Sequence, residues 1–163
     1  MAIFIKVISE DFNFGDELSA LRATNTGIGA IVSFLGTVRD MNRGEVVTQM
    51  ALEHYPGMTE KSLQTIGEQA MARWQIEDAL VIHRYGALQP GDQIVLVAVT
   101  SAHRGEAFQA CEFIIDYLKT EAPFWKKEST PSGSHWVDAR DTDQTALQKW
   151  QTQKDEDGST TTS

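Results

Sequence analysis

The sequence predicts an α+β fold, with a mixed and largely antiparallel sheet and helices packed on it. Three observations carry this. Strand-like and helix-like segments follow one another irregularly, without the strict alternation of a parallel α/β protein. Apolar residues recur at helical spacing in two segments, Leu63-Ile66-Ala70-Trp74 and Phe108-Cys111-Ile115-Leu118. The run from Ile94 to Thr100 is almost continuously apolar, as a strand buried on both faces is.

Taken in order, Ala2 to Ile8 reads as a strand, and Phe14 to Ala23 as a short helix with acidic residues in its first turn, where the helix dipole favours them. The apolar run from Ala30 to Val38 is a second strand, with Gly36 marking a bulge or close approach. Arg39 to Glu45 is a polar loop, and Val46 to Tyr55 is expected to return as the partner strand of a hairpin. A helix is expected over Thr59 to Trp74, with Thr59 as its cap and no completed capping box. Ala79 to Tyr85 and Ile94 to Thr100 are strands joined through the turn Gln89-Pro90-Gly91-Asp92. The next helix runs from about Gly105 to Lys119 and is ended by Pro123. A last strand (Ser134 to Ala139) and a helix (Asp141 to Gln151) complete the domain, which is expected to span 1–151. Residues 152–163 are polar without an apolar anchor and are expected to be a disordered tail.

Composition excludes several function classes. A length of 163 residues suits one domain with a core that needs no staples. The formal net charge of -9 argues against nucleic acid and anionic membrane surfaces, both of which call for broad basic patches. Cys111 is the single cysteine, so no intramolecular disulfide and no cysteine-based metal site can form; its place in an apolar stripe marks it as core. The N-terminal MAIFIKVISEDF lacks the features of a signal peptide, and no apolar stretch approaches a membrane span. A cytoplasmic protein is expected. No phosphate-binding P-loop, dinucleotide fingerprint or nucleophile elbow occurs.

Against this acidic background, cations gather between His103 and Glu128. His103 and Arg104 stand where a strand gives way to a helix, a common ligand position, with the N–H groups of Gly105 and Glu106 beside them. Lys119 lies at the margin of the buried stripe, where its stem can rest on apolar surface and its ammonium can face a cleft. Alternation in an extended segment turns one of Lys126 and Lys127 inward and the other outward. Arg39 closes the strand from Ala30 and joins this cluster if the strands are neighbours. Arg43 and Arg140 are weaker candidates. His54, His83 and His135 show no metal-ligand spacing and read as structural. The cationic cluster points to a small anion, such as a phosphate.

Five segments, SFLGTVRD (33–40), LEHYPGM (52–58), HRYGALQPGD (83–92), SAHRGEAF (101–108) and LKTEAPFWKKE (118–128), together resemble the large, catalytic subunit of molybdopterin synthase. The resemblance reaches to about Trp150 and implies a hammerhead-like α/β sandwich. It implies transfer of sulfur to cyclic pyranopterin monophosphate (precursor Z), forming the dithiolene of molybdopterin. It further implies a small ubiquitin-like partner bearing a C-terminal Gly-Gly thiocarboxylate, and a heterotetramer built on a dimer of large subunits. Carried over residue by residue, the substrate-binding positions are Thr37, Val38, Arg39, His103, Arg104, Lys119, Lys126, Lys127 and Glu128. Lys119 and Lys126 are the catalytic pair, and some groups are expected to serve the neighbouring copy's site. Neither a metal nor another cofactor is implied. A sulfur donor outside the chain also follows from its single, core-placed cysteine. Two rival readings of the cationic segment, a phosphate- or nucleotide-sensing module and a scaffold for a ubiquitin-like protein, rank below the synthase, and the intact Lys119 and Lys126 argue against the scaffold.

Overall fold

This computed structural model describes residues 1–23, 25–137 and 141–157. In chain order the elements are β1 (Ala2–Ile8), α1 (Phe14–Arg22), β2 (Ala30–Thr37), β3 (Met41–Asn42), β4 (Glu45–Val46), β5 (Gln49–His54) and α2 (Met58–Arg73). They continue with β6 (Asp78–Arg84), β7 (Gly86–Leu88), β8 (Gln93–Ser101), α3 (Arg104–Glu121), β9 (Phe124–Thr130), β10 (Gly133–Val137) and α4 (Asp141–Asp157). One sheet has the order β1-β6-β8-β2, a second β10-β9-β5-β7, and β3 pairs with β4. The β1–β6 pair is parallel and the other pairings are antiparallel, so the expected α+β class is the one found.

β8 is apolar from Ile94 to Val99 because helices cover both faces of its sheet. Val95, Val97 and Val99 point to one side, where Leu63, Ile66 and Ala70 of α2, Phe113 and Ile114 of α3 and Trp150 of α4 bury against them. Leu96 and Ala98 point to the other, against Leu21 of α1. α1 is capped by Asn13, whose Oδ1 accepts the Asp16 N–H at 2.9 Å. α4 is tied to α3 by Trp150, whose indole N–H donates to Asp116 Oδ2 at 2.7 Å while its ring meets Phe113 edge-on.

Several expectations need correction. β5 does not form a hairpin with β2. The antiparallel partner of β2 is β8, and the β3–β4 hairpin carries the chain to the second sheet, where β5 lies between β9 and β7. Thr59 does not cap α2. Gly57 takes that place with φ +85°, and its N–H donates to the Glu60 carboxylate at 2.6 Å. Thr59 is instead fully buried, and its hydroxyl donates to the Pro123 carbonyl at 3.1 Å, which joins the start of α2 to the end of α3. Phe108 is 60% exposed; the buried face of α3 runs through Ala107, Ala110, Cys111, Ile114 and Leu118. Small residues at 107 and 110 let the helix lie close on the sheet and turn Phe108 outward. α4 continues past Gln151 to Asp157. Residues 158–163 of the expected tail lie outside the described residues, as do Ala139 and Arg140.

The chain passes between the two sheets several times, and two of these passages shape the site. Between Arg84 and Gly86 the chain passes from the first sheet to the second, with Gly86 at φ +90°. At Ala122 and Pro123, α3 hands over to β9. Residues that end β2, β6 and α3 therefore meet residues that begin β9.

Candidate active site at the junction of the two sheets

A cavity of about 380 Å³ opens at this junction, lined among others by Arg39, His83, Lys119, Phe124, Lys126 and Glu128. That volume suits a small organic ligand.

Arg39 arrives through the irregular end of β2. Its pairing with β8 shifts register between Gly36 and Thr37. A Cβ on Gly36 would stand 2.8 Å from Val95 Cγ1, so the close approach requires glycine. Beyond the shift, Val38 is held by two backbone bonds, its N–H to Asp92 O (2.9 Å) and its carbonyl from Gly91 N (2.8 Å). Val38 is buried, while Thr37 and Arg39 on either side stay exposed at the cavity. Lys119 occupies the last turn of α3, directly after the buried Leu118, and faces the cavity as expected. Its charge also complements the C-terminal end of the helix dipole.

The pleat of β9 sorts the next three candidates. Lys126 and Glu128 line the cavity, whereas Lys127 extends over the Trp136 ring with its Nζ 5.8 Å from the centroid. The expected inward and outward lysines are thus Lys126 and Lys127. Glu128 is 4% exposed; it accepts from Asn42 Nδ2 at 2.8 Å and lies 3.3 Å from Lys126 Nζ. This carboxylate anchors Lys126 and pins the β3–β4 hairpin beside the cavity. Glu128→Ala removes the acceptor for both groups and is expected to cost about 2–3 kcal/mol of folding stability, read by denaturant titration. An unchanged denaturation midpoint would show that the carboxylate anchors nothing.

His83 belongs to this cavity although its sequence context reads as structural. It is 5% exposed and stacks on Phe124 at 3.7 Å and 18°. Its Nδ1 lies 2.8 Å from the Arg84 carbonyl, which can only accept, so Nδ1 carries the proton. Burial pulls its pKa down to about 4, aided by the nearby charges of Lys119 and His54 and opposed by the bond to Arg84. The unfolded chain therefore takes up a proton as pH falls through 6.5, while the folded chain does so only near 4. Stability is lost over that window, by roughly 3 kcal/mol. Unfolding titrations of wild type and His83→Phe from pH 7 to 4 should show this loss in the wild type alone; parallel curves would refute a neutral buried imidazole. The strand phase puts His83 on the same face as Ala79 and Val81, which marks it as buried but gives no sign of the cavity. Asn42 and Asp143 also line the cavity and had no sequence signal of their own.

His103 and Arg104 are not part of this cavity within one chain. They are exposed at the opposite end of α3, in a cleft with Gly29, Ala30, Ala102 and Gly105. Fifteen helical steps put about 22 Å between Arg104 and Lys119, more than an arginine side chain can span. The single cationic cluster read from the sequence is two groups, one at each end of the helix. Gly29 shapes the second, since a Cβ there would lie 2.1 Å from the Ala102 carbonyl oxygen.

Cys111 is core, as expected. Burial pushes its thiol up to about 12, with the Glu112 charge adding to the effect, and Sγ lies 3.8 Å from Val97 O. It is a protonated thiol at neutral pH and no sulfur nucleophile. Among the described residues no group of three His, Cys, Asp or Glu side chains could hold a metal ion, and no helix is long and apolar enough to cross a membrane.

Arg39, Lys119 and Lys126 are set around one cavity at the joint of the two sheets of an α+β fold. Residues 7–121 match the family described as MoaE protein, and the chain belongs to that family. The molybdopterin synthase catalytic subunit of Ralstonia nicotianae is 64% identical over 146 residues, covering 90% of this chain and 83% of that protein. Among solved structures, the molybdopterin biosynthesis MoaE protein from Burkholderia ambifaria is 56% identical with a TM-score of 0.79, covering 92% of this chain and 98% of that one. Molybdopterin synthase from Staphylococcus aureus is 34% identical with a TM-score of 0.75, covering 82% and 96%.

Proposed function

We propose that this chain is the catalytic subunit of a molybdopterin synthase. It converts cyclic pyranopterin monophosphate into molybdopterin with sulfur from the C-terminal thiocarboxylate of a small ubiquitin-like subunit. The observation that carries the reading is the convergence of Arg39, Lys119 and Lys126 on one small-ligand cavity, in a chain so similar to named catalytic subunits. The location is cytoplasmic in this reading, in keeping with a lone, reduced cysteine.

The chemistry assigns the parts. Arg39 holds polar edges of the pterin or its phosphate by a forked contact. The partner's tail brings its thiocarboxylate beside the bound pterin, so that transfer occurs within one complex. The thiocarboxylate sulfur attacks a side-chain carbon of the pterin, displacing an oxygen substituent and forming a thioester. Water then adds to the acyl carbon. The tetrahedral adduct collapses by breaking its C–S bond, which leaves sulfur on the pterin and a carboxylate on the tail. Lys119 stabilises the adduct's oxyanion or supplies a proton to the departing sulfur. Lys126, held by Glu128, supports the same developing charge. Lys127, on the far face of β9, contributes through the surface only. His103 and Arg104 serve the cavity of the neighbouring copy in a dimer, which reconciles their substrate-binding role with their distance from Lys119.

Reconstitution tests the reading. The chain is mixed with a thiocarboxylated small subunit and cyclic pyranopterin monophosphate, and molybdopterin is assayed. Product is expected. A stable complex without product would favour a scaffold for a ubiquitin-like protein, and phosphate-ligand binding without any complex would favour a sensing module.

A further inference from the structure

We propose that His83 is a positioning residue for the sulfur-transfer reaction: its Nε2 lone pair accepts a hydrogen bond from the Lys119 ammonium across the cavity and so fixes where the other Nζ–H donors point. The inference rests on the synthase reading for its catalytic consequence, but not for the contact itself.

The ring is held in one orientation and one tautomer. Phe124 stacks on its face, and the Arg84 carbonyl takes the Nδ1 proton, which leaves Nε2 as a bare acceptor. Among the described residues no fully buried side-chain nitrogen or oxygen lacks a partner. Nε2 has no partner among the described residues, so it is not sealed in the core; the small exposed part of His83 opens to the cavity it lines.

Lys119 lines the same cavity and makes no ion pair or side-chain hydrogen bond among the described residues, so its ammonium reaches Nε2 by turning its long stem across the cavity. The other charged groups at the cavity are Arg39, Lys126, Glu128 and Asp143. Arg39 and Lys126 only donate, Glu128 is already engaged by Lys126 and Asn42, and Asp143 of α4 is the one other side-chain carboxylate at the cavity with which His83 shares the ammonium's donors. An ammonium carries several donors and a long flexible stem, so its direction is set by what accepts from it. A neutral imidazole suits that role, because it orients the ammonium without cancelling the positive charge that a developing oxyanion needs. A carboxylate in the same place would neutralise it.

The test is a double-mutant cycle read by single-turnover kinetics of the assembled enzyme, with an NMR measurement beside it. His83→Phe keeps a flat ring for Phe124 and removes the lone pair; it is expected to lower kcat about tenfold, the worth of one hydrogen bond, with KM and partner affinity unchanged. His83→Gln, whose amide oxygen can stand near the place of Nε2, should recover most of the rate. In the Lys119→Ala background, His83→Phe should slow the reaction no further. Additive losses, or a change confined to KM, would overturn the proposal, since they would mean a direct substrate contact or a merely structural part. Independently, the 15N resonance of His83 Nε2 should move on Lys119→Ala in the folded chain. An unmoved resonance would overturn the contact even if the chain made no molybdopterin, whereas a moved resonance without wild-type turnover would count against the synthase reading alone.

Discussion

Lys119→Ala is expected to lower turnover by about 10²- to 10⁴-fold, the span observed when a group that moves a proton or stabilises an oxyanion is removed. Fold and partner binding should survive. Lys119 sits in the last turn of α3, where the preceding Leu118 carries the packing, and its ammonium makes no ion pair among the described residues. Truncation therefore breaks no ion pair, and the His83 Nε2 it leaves opens to the cavity, so stability should change by no more than about 0.5 kcal/mol. The measurement is molybdopterin formed in a single turnover from a preassembled complex, which separates chemistry from assembly. Lys119→Arg divides the two possible roles. It keeps the positive charge but gives up a lysine's readiness to release a proton. Substantial recovery would assign Lys119 to charge stabilisation, and none would assign it to proton transfer. Full turnover in Lys119→Ala would remove the residue from the mechanism.

The parts of the fold that could be read from the sequence are those whose pattern is local. β8 is covered on both faces and so is apolar from Ile94 to Val99; the ends of α3 are marked by the His103-Arg104-Gly105 step and by Pro123. The pairing of β5 was not local. A strand following another across a polar loop normally forms a hairpin with it, but here β2 pairs with β8 and a two-residue hairpin turns the chain away. The site divided in the same way. Lys119, Lys126 and Arg39 could be named because cations are scarce in an acidic chain, and the pleat of β9 told Lys126 from Lys127. Nearness in sequence misled for His103 and Arg104, because the residues between them and Lys119 form one straight helix. His83 was passed over because a lone histidine in an apolar strand most often belongs to the core; only the fold shows that its strand ends at a cavity.

The helix that separates Arg104 from Lys119 leads to the second large effect, which depends on whether one chain or two build each site. Arg104→Ala alone should weaken substrate binding by at least tenfold if its guanidinium holds the phosphate, since such charge-assisted contacts are worth about 1.5–3 kcal/mol. The sharper experiment mixes two impaired chains, at a substrate concentration well below saturation of the Arg104→Ala chain. In a two-fold symmetric dimer where each cavity takes Arg39, Lys119 and Lys126 from one copy and His103 and Arg104 from the other, a Lys119→Ala chain paired with an Arg104→Ala chain leaves one cavity intact and one doubly impaired. Random mixing puts half of the dimers in that state, so about a quarter of all cavities regain full function. Unfolding and refolding the two variants together should restore about that fraction of wild-type activity, while mixing them without exchange of subunits should restore none. If each site belongs to a single chain, no combination yields an intact cavity and activity stays at the level of the separate variants. That result would leave the exposed cleft at Arg104 and Gly29 without a part in the reaction and confine the chemistry to the junction of the two sheets.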